Sequence, residues 1–261
     1  MNTSALPRPS ADLSALREQV ASCPRAPRTV LPFGIAALDD ILADGGLNGA
    51  GLHEIAGQSA TLNDDAATTL FAAGIAARFA SERGADVLWA ATTFDLYAPG
   101  LEQAGLAPDR VLYGEGRKDR DVLAMAEDAL RYGTLACVVA EVKAADMTAT
   151  RRLQLAASDS DTPILLYRRH RSRGRCPMTA PSAAMTRWRI GCLASERPPW
   201  AGLGRPRWQI ELVRQRNGKF FTLELEACDA QGRLALPAAP GNRTASPRST
   251  VATERAVTHA A

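Results

Sequence analysis

The stretch that decides the fold reads Phe33-Gly34-Ile35-Ala36-Ala37-Leu38-Asp39-Asp40-Ile41-Leu42, then Gly45-Gly46-Leu47-Asn48-Gly49-Ala50-Gly51, then Leu52-His53-Glu54-Ile55-Ala56-Gly57. After a loop it ends in an apolar run over residues 66–77. Glycines this closely spaced let the backbone turn into a strand over residues 52–56. A short helix, a glycine-rich turn, a strand, a loop and a helix, in that order, is the layout of a phosphate-binding loop. In a working loop of that kind a lysine at the helix start sits on the phosphates while backbone N–H groups cradle them. No Lys or Arg occurs between Gly57 and Ala77.

The loop instead reads Gln58-Ser59-Ala60-Thr61-Leu62-Asn63-Asp64-Asp65. Two carboxylates stand where an anionic phosphate would sit, so the charge has the wrong sign. Acids at that position cap the first turn and oppose the positive end of the helix dipole. Taken alone, the segment fits a plain strand-turn-helix with an Asn63-Asp64-Asp65 cap equally well.

At 261 residues the natural expectation is one domain plus tails, with a substantial buried core. A composition of 46% hydrophobic, 23% charged and 5% aromatic residues describes a soluble globular protein. No apolar run is long enough to span a bilayer and residues 1–10 are polar and proline-rich, which argues against export and a membrane anchor and predicts a cytoplasmic protein. The cysteines Cys23, Cys137, Cys176, Cys192 and Cys228 contain no Cys-x-x-Cys pair, a pattern of reduced thiols rather than a disulfide frame or zinc site. The net charge of +3 hides a segregation: residues 168–219 carry thirteen Lys or Arg against Glu196 and Glu211, or +11, leaving −8 for the rest. A basic distal segment on an acidic body suggests a polyanion or an acidic protein surface as partner.

Along the chain, residues 1–29 read as a small helix (12–20) and a proline-rich linker, residues 30–230 as the core and residues 231–261 as a disordered tail. Within the core the apolar runs predict strands over 52–56, 86–92, 110–113, 135–139 and 164–167. They alternate with helices over 33–42, 68–83, 97–104, 119–132 and 146–158. In the fourth of these helices Asp119 is the expected cap and Glu127–Arg131 an expected ion pair. Strands without polar alternation, interleaved with helices, indicate a mainly parallel sheet flanked by helices. After residue 167 the period changes to two. Thr186, Trp188, Ile190 and Cys192 share a face opposite Arg187 and Arg189, and Asn217-Gly218 predicts a hairpin of residues 208–213 and 220–225. Setting Arg216 opposite Lys219 pairs Leu212 with Leu223, Ile210 with Leu225 and Trp208 with Ala227, so the chain ends in antiparallel strands.

The order of features from Phe33 resembles the core ATPase domain of the RecA recombinases. It rests on the Leu38-Asp39 helix, Gly45-Gly46-Leu47, Glu54-Ile55 before Gly57, Thr68-Thr69-Leu70 opening the helix, and Asp95-Leu96-Tyr97-Ala98 after the second strand. Phe94-Asp95-Leu96-Tyr97-Ala98-Pro99-Gly100-Leu101 and the closing hairpin from Arg207-Trp208 to Glu226 make it most similar to the ImuA family, RecA-like proteins found with the Y-family-like ImuB in bacterial mutasomes. The resemblance spans roughly residues 30–230. It implies a RecA-like core with a degenerate phosphate loop at Gly57, Asn63, Asp64, Asp65, Thr68 and Thr69. The gripping lysine would fall at Asn63, or at Ala67 when Thr68-Thr69-Leu70 is aligned. The water-activating acid falls at Thr92 and the metal-supporting aspartate at Ala140, one residue short of Glu141. Phosphoryl transfer needs cations to neutralise developing charge. The expectation is therefore no catalytic residue, no metal and no cofactor. Glu141 reads as a strand-end acid facing solvent or Lys143, and His53 as a packed, hydrogen-bonded histidine.

The other informative stretch is Tyr167-Arg168-Arg169-His170-Arg171-Ser172-Arg173-Gly174-Arg175. It follows the fifth strand, where RecA proteins carry a mobile DNA-binding loop. Arg168, Arg169, Arg171, Arg173 and Arg175 on a Ser/Gly backbone favour salt-dependent phosphate contacts, with a solvated basic loop or a site for an acidic protein partner as the other reading. The reading is a non-catalytic accessory of SOS translesion mutagenesis. Its partners would be an ImuB-like Y-family polymerase homologue, and further RecA, the error-prone replicative-type polymerase and single-stranded DNA. Two alternatives stand beside it: a nucleotide-dependent ATPase with an unusual loop, and a SulA-type division inhibitor.

Overall fold

Strands built from Val, Ile, Leu and Ala on both sides need cover on both faces, and the computed structural model supplies it. The structure describes residues 29–170, 176–195 and 201–237. The helix expected over 12–20, the linker before residue 29 and the tail from 238 onward lie outside them.

The chain runs β1 (Val30–Leu31), α1 (Ala36–Asp39), β2 (Leu47–Asn48), β3 (Leu52–Gly57), α2 (Leu62–Arg83), β4 (Val87–Ala91), α3 (Ala98–Gln103), β5 (Val111–Glu115), α4 (Asp119–Tyr132), β6 (Cys137–Val142), α5 (Met147–Ser160), β7 (Ile164–Arg168), β8 (Thr186–Leu193), β9 (Arg207–Gln215) and β10 (Phe221–Glu226). Strands β1 and β2 form a small antiparallel pair. The other eight make one sheet in the order β10-β9-β8-β3-β7-β6-β4-β5. It is parallel from β8 to β5 and antiparallel where β8, β9 and β10 meet. This is the α/β core that the pattern of residues predicts. Among the described residues no helix is long and apolar enough to cross a membrane.

Helix α2 covers one face. Its Phe71 sits between Trp188 of β8 and Trp208 of β9, with ring centroids 6.1 and 6.4 Å away. All three rings are buried, and removing one such ring typically costs about 3–5 kcal/mol. Helices α4 and α5 cover the other face, where Val122, Ala126, Leu130 and Leu153 pack with Leu52, Leu88, Val138 and Leu166. The expected Glu127–Arg131 pair forms at 2.7 Å. Asp119 opens α4 but caps nothing in it; its Oδ2 accepts the Ala144 N–H at 2.8 Å, tying the helix start to the end of β6, while Lys118 is the cap. The Leu38-Asp39 feature has a clear role: Asp39 accepts the N–H groups of Phe33, Gly34 and Ile35 at 2.7, 2.8 and 3.2 Å, and Leu38 is buried.

Two expectations change. The hairpin pairs Leu212 with Phe221, Ile210 with Leu223 and Trp208 with Leu225, two residues away from the expected register. A two-residue turn of the expected kind needs φ > 0 at both central positions, and only Asn217 has it, at 60°. Gln215 instead spans the turn, its amide donating to Lys219 O and to Ile41 O. Because side chains alternate with a period of two, the slip leaves every apolar residue on its intended face. The core also continues past residue 230. Leu234 is buried, Ala235 pairs with Glu226, and the Arg205 guanidinium donates to Arg233 O at 2.7 Å. A Cβ on Gly74 of α2 would lie 2.3 Å from Cys228 Sγ, so this segment lies directly on the helix.

Candidate functional site

At the carboxyl ends of the strands, β3 leads through residues 58–61 into α2. The Gln58 N–H donates to Ile190 O at 2.8 Å, fixing the loop to β8. The helix cap is Thr61, whose Oγ1 accepts the Asp64 N–H at 3.3 Å; Asn63 already lies inside the first turn, exposed. Asp64 is buried and turns back into the loop. Its Oδ2 accepts Ser59 N–H at 2.9 Å and Ser59 Oγ–H at 2.5 Å, and its Oδ1 accepts the Cys192 N–H at 2.8 Å. Gly57 permits this tight turn, since a Cβ there would stand 2.9 Å from Ser59 O. The Thr68 and Thr69 hydroxyls donate to the carbonyls of Asp64 and Asp65 one turn back, at 2.6 and 3.0 Å. Ala67 is buried.

Beside the loop a single guanidinium gathers three carboxylates. Arg169 Nε donates to Glu141 Oε2 at 2.6 Å, Nη1 to Asp65 Oδ2 at 2.6 Å and Nη2 to Asp95 Oδ1 at 2.9 Å. The group also lies 5.1 Å from the centre of the Tyr167 ring, and the Tyr167 hydroxyl donates to Asp65 Oδ1. Burial opposes the Arg169 charge, but Glu141, Tyr167 and Asp65 together hold its pKa above the usual value. Glu141 is also held by Trp89 Nε1 at 2.6 Å. Its pKa is raised by burial, against the pull of Arg169. Glu141 therefore faces inward to Trp89 and Arg169, not outward to solvent. The pleat explains it: Ala140 packs on the α4/α5 side with Val138 and Val142, so Glu141 must point to the α2 side.

Around these groups lies a cleft of about 230 Å³ lined by Ala91, Thr92, Thr93, Asp95, Glu141, Val142, Lys143 and Arg169. A crevice outside the carboxyl ends of parallel strands is where ligands of open α/β sheets bind. Here its strongest cation is already engaged by the chain's own acids.

The arginine stretch divides. Arg168 is the last residue of β7 and 2% exposed; its Nη1 donates to Glu54 Oε1 at 2.7 Å. Arg187 donates to the other oxygen of Glu54 at 2.6 Å. Arg168 thus serves a buried ion-pair triad, which corrects its expected role as a phosphate contact, and Arg169 is committed to the cleft. Arg171, Arg173 and Arg175 lie outside the described residues. His170, between the two groups, donates from Nε2 to Gly57 O at 2.8 Å. His53 is the packed histidine expected: Nδ1 meets Thr186 Oγ1 at 2.7 Å and Nε2 donates to Asn48 O at 2.9 Å.

No family model matches the chain. Over 200 residues it is 37% identical to Protein ImuA of Caulobacter vibrioides strain NA1000 / CB15N, an alignment covering 75% of this chain and 82% of that protein. Protein ImuA of strain ATCC 19089 / CIP 103742 / CB 15 matches to the same extent. The chain belongs to the ImuA family.

For this ImuA-family chain the three-carboxylate cluster on Arg169 is what sequence reasoning missed. Its members are scattered over residues 65, 95, 141 and 169. The available signal was that each sits within a few residues of a strand's carboxyl end or of the helix start that follows one, where a parallel sheet gathers side chains.

Proposed function

We propose that this chain is a non-catalytic accessory protein of DNA damage-induced translesion mutagenesis, working with an ImuB-like partner and, through its basic loop, with single-stranded DNA or the recombinase filament on it. Membership of the ImuA family supports the mutagenesis role. The single observation that carries the non-catalytic part is the Asp64 carboxylate. It takes the N–H groups of Ser59 and Cys192, donors of the kind a phosphate would need, and adds negative charge at the same point. A triphosphate would have to displace a buried, thrice hydrogen-bonded carboxylate and overcome its repulsion.

Calorimetric titration with ATP and Mg²⁺, beside a turnover assay on the pure protein, tests this. No heat of specific binding and no phosphate release are expected. Micromolar binding by the unmodified chain that Asp64→Ala and Asp65→Ala abolish would establish instead a nucleotide-dependent protein using these acids.

A further inference from the structure

Towards the opposite end of the strands, where α4 and α5 end and β6 and β7 begin, the two outer helices form a groove of about 420 Å³. Glu127 of α4 is 6% exposed. Its Oε1 accepts Arg131 Nη2 and its Oε2 accepts Arg152 Nη2, both at 2.7 Å. One buried carboxylate thus holds a guanidinium from each helix, and the triad carries a net charge of +1. Both arginine side chains stay open to solvent, 67% and 63% exposed. Between them α5 presents Leu155, 57% exposed, beside Ala156, with Asp159 the one acid lining the groove.

We propose that this groove docks an acidic amphipathic segment of a partner protein, an apolar side chain resting on Leu155 and Ala156 and a carboxylate meeting Arg131 and Arg152. Charge complementarity argues for the acid. Two guanidiniums share one carboxylate, and a planar guanidinium has donors left for a second. Glu127 fixes both, so less side-chain freedom remains to be lost on binding. The apolar floor argues for a protein rather than a nucleic acid, because phosphate contacts need cations but gain nothing from an exposed leucine. The groove lies towards the amino ends of the strands and the Arg169 cleft at their carboxyl ends.

The test uses the full-length protein and a short fluorescein-labelled helical peptide with leucines at every third or fourth position and glutamates between them. Fluorescence anisotropy is read against a lysine-for-glutamate version of the peptide and a labelled oligothymidylate. Saturable binding of the acidic peptide is expected, weakened about tenfold by Leu155→Glu, which removes apolar contact and adds a like charge. Arg152→Gln, with Glu127 still paired to Arg131, is expected to weaken it about threefold. Oligothymidylate binding should be unchanged in both variants. Equal peptide affinity in wild type and variants, preference for the lysine peptide, or loss of oligothymidylate binding in Leu155→Glu would overturn the proposal. Circular dichroism of the variants excludes misfolding as the cause.

Discussion

At the scale of single residues, the buried charges among the described residues each have a partner in place, as burial of charge requires. Glu54, fully buried, takes a guanidinium on each oxygen, and Glu141 takes Arg169 and Trp89. His53 follows the same rule by staying neutral. Burial lowers its pKa from 6.5 to about 4, against a smaller upward pull from its bond to Asn48. The unfolded chain therefore binds this proton more readily than the folded one. The contribution to stability is complete above pH 6.5 and is lost as pH falls towards 4, the loss reaching about 2 kcal/mol at pH 5. Urea unfolding at pH 7 and pH 5 checks it: His53→Gln should lose less stability over that interval than the unmodified protein. An equal loss in both would place the proton elsewhere.

At the scale of elements, β3, the loop over residues 58–61 and α2 keep the expected strand-loop-helix order, with the N–H groups of Gln58, Ser59 and Cys192 taken by Ile190 O and the Asp64 carboxylate. The apolar character of α2 and the inward Trp188 and Ile190 were legible because periodicity reports burial directly. The hairpin register was legible only to within two residues. The alternation of Trp208, Ile210 and Leu212 constrains the face, while the Gln215 side chain and the conformation of Asn217 set the pairing. Residues 231–237 read as tail because they lack apolar periodicity; they are held by the burial of Leu234 and by the close approach of Gly232 to Gly74 beside Cys228. Gly74→Ala should push them off α2, costing about 1–3 kcal/mol as overpacking does, and speed the labelling of Cys228 by a thiol reagent, read by peptide mass spectrometry. A Cys228 as slow to react as in the unmodified protein would show that the contact relaxes without release.

At the scale of the whole molecule, the charge separation along the chain is partly cancelled by folding. Of the excess in residues 168–219, Arg168 and Arg187 meet Glu54, Arg169 meets Asp65, Asp95 and Glu141, and Arg205 meets Glu226. Of the arginines read as phosphate contacts, Arg171, Arg173 and Arg175 lie outside the described residues, and the proposed contact with nucleic acid rests on them. Replacing these three with Ala should weaken binding of single-stranded DNA and lower the slope of log affinity against log salt by about two, at about 0.7 per phosphate contact. An unchanged slope would move the basic loop to a protein partner.

The sequence by itself determined the layered α/β architecture, the order of its elements from β3 to β10 and the absence of a lysine from the loop, because these depend on local periodicity and residue type; it gave no sign of the short pair β1 and β2. Only the tertiary structure decided which charges are free. Parallel strands with long crossovers bring residues 65, 95, 141 and 169 together at the carboxyl ends of the strands, and proximity across such sequence distances is set by strand order, which no local pattern encodes.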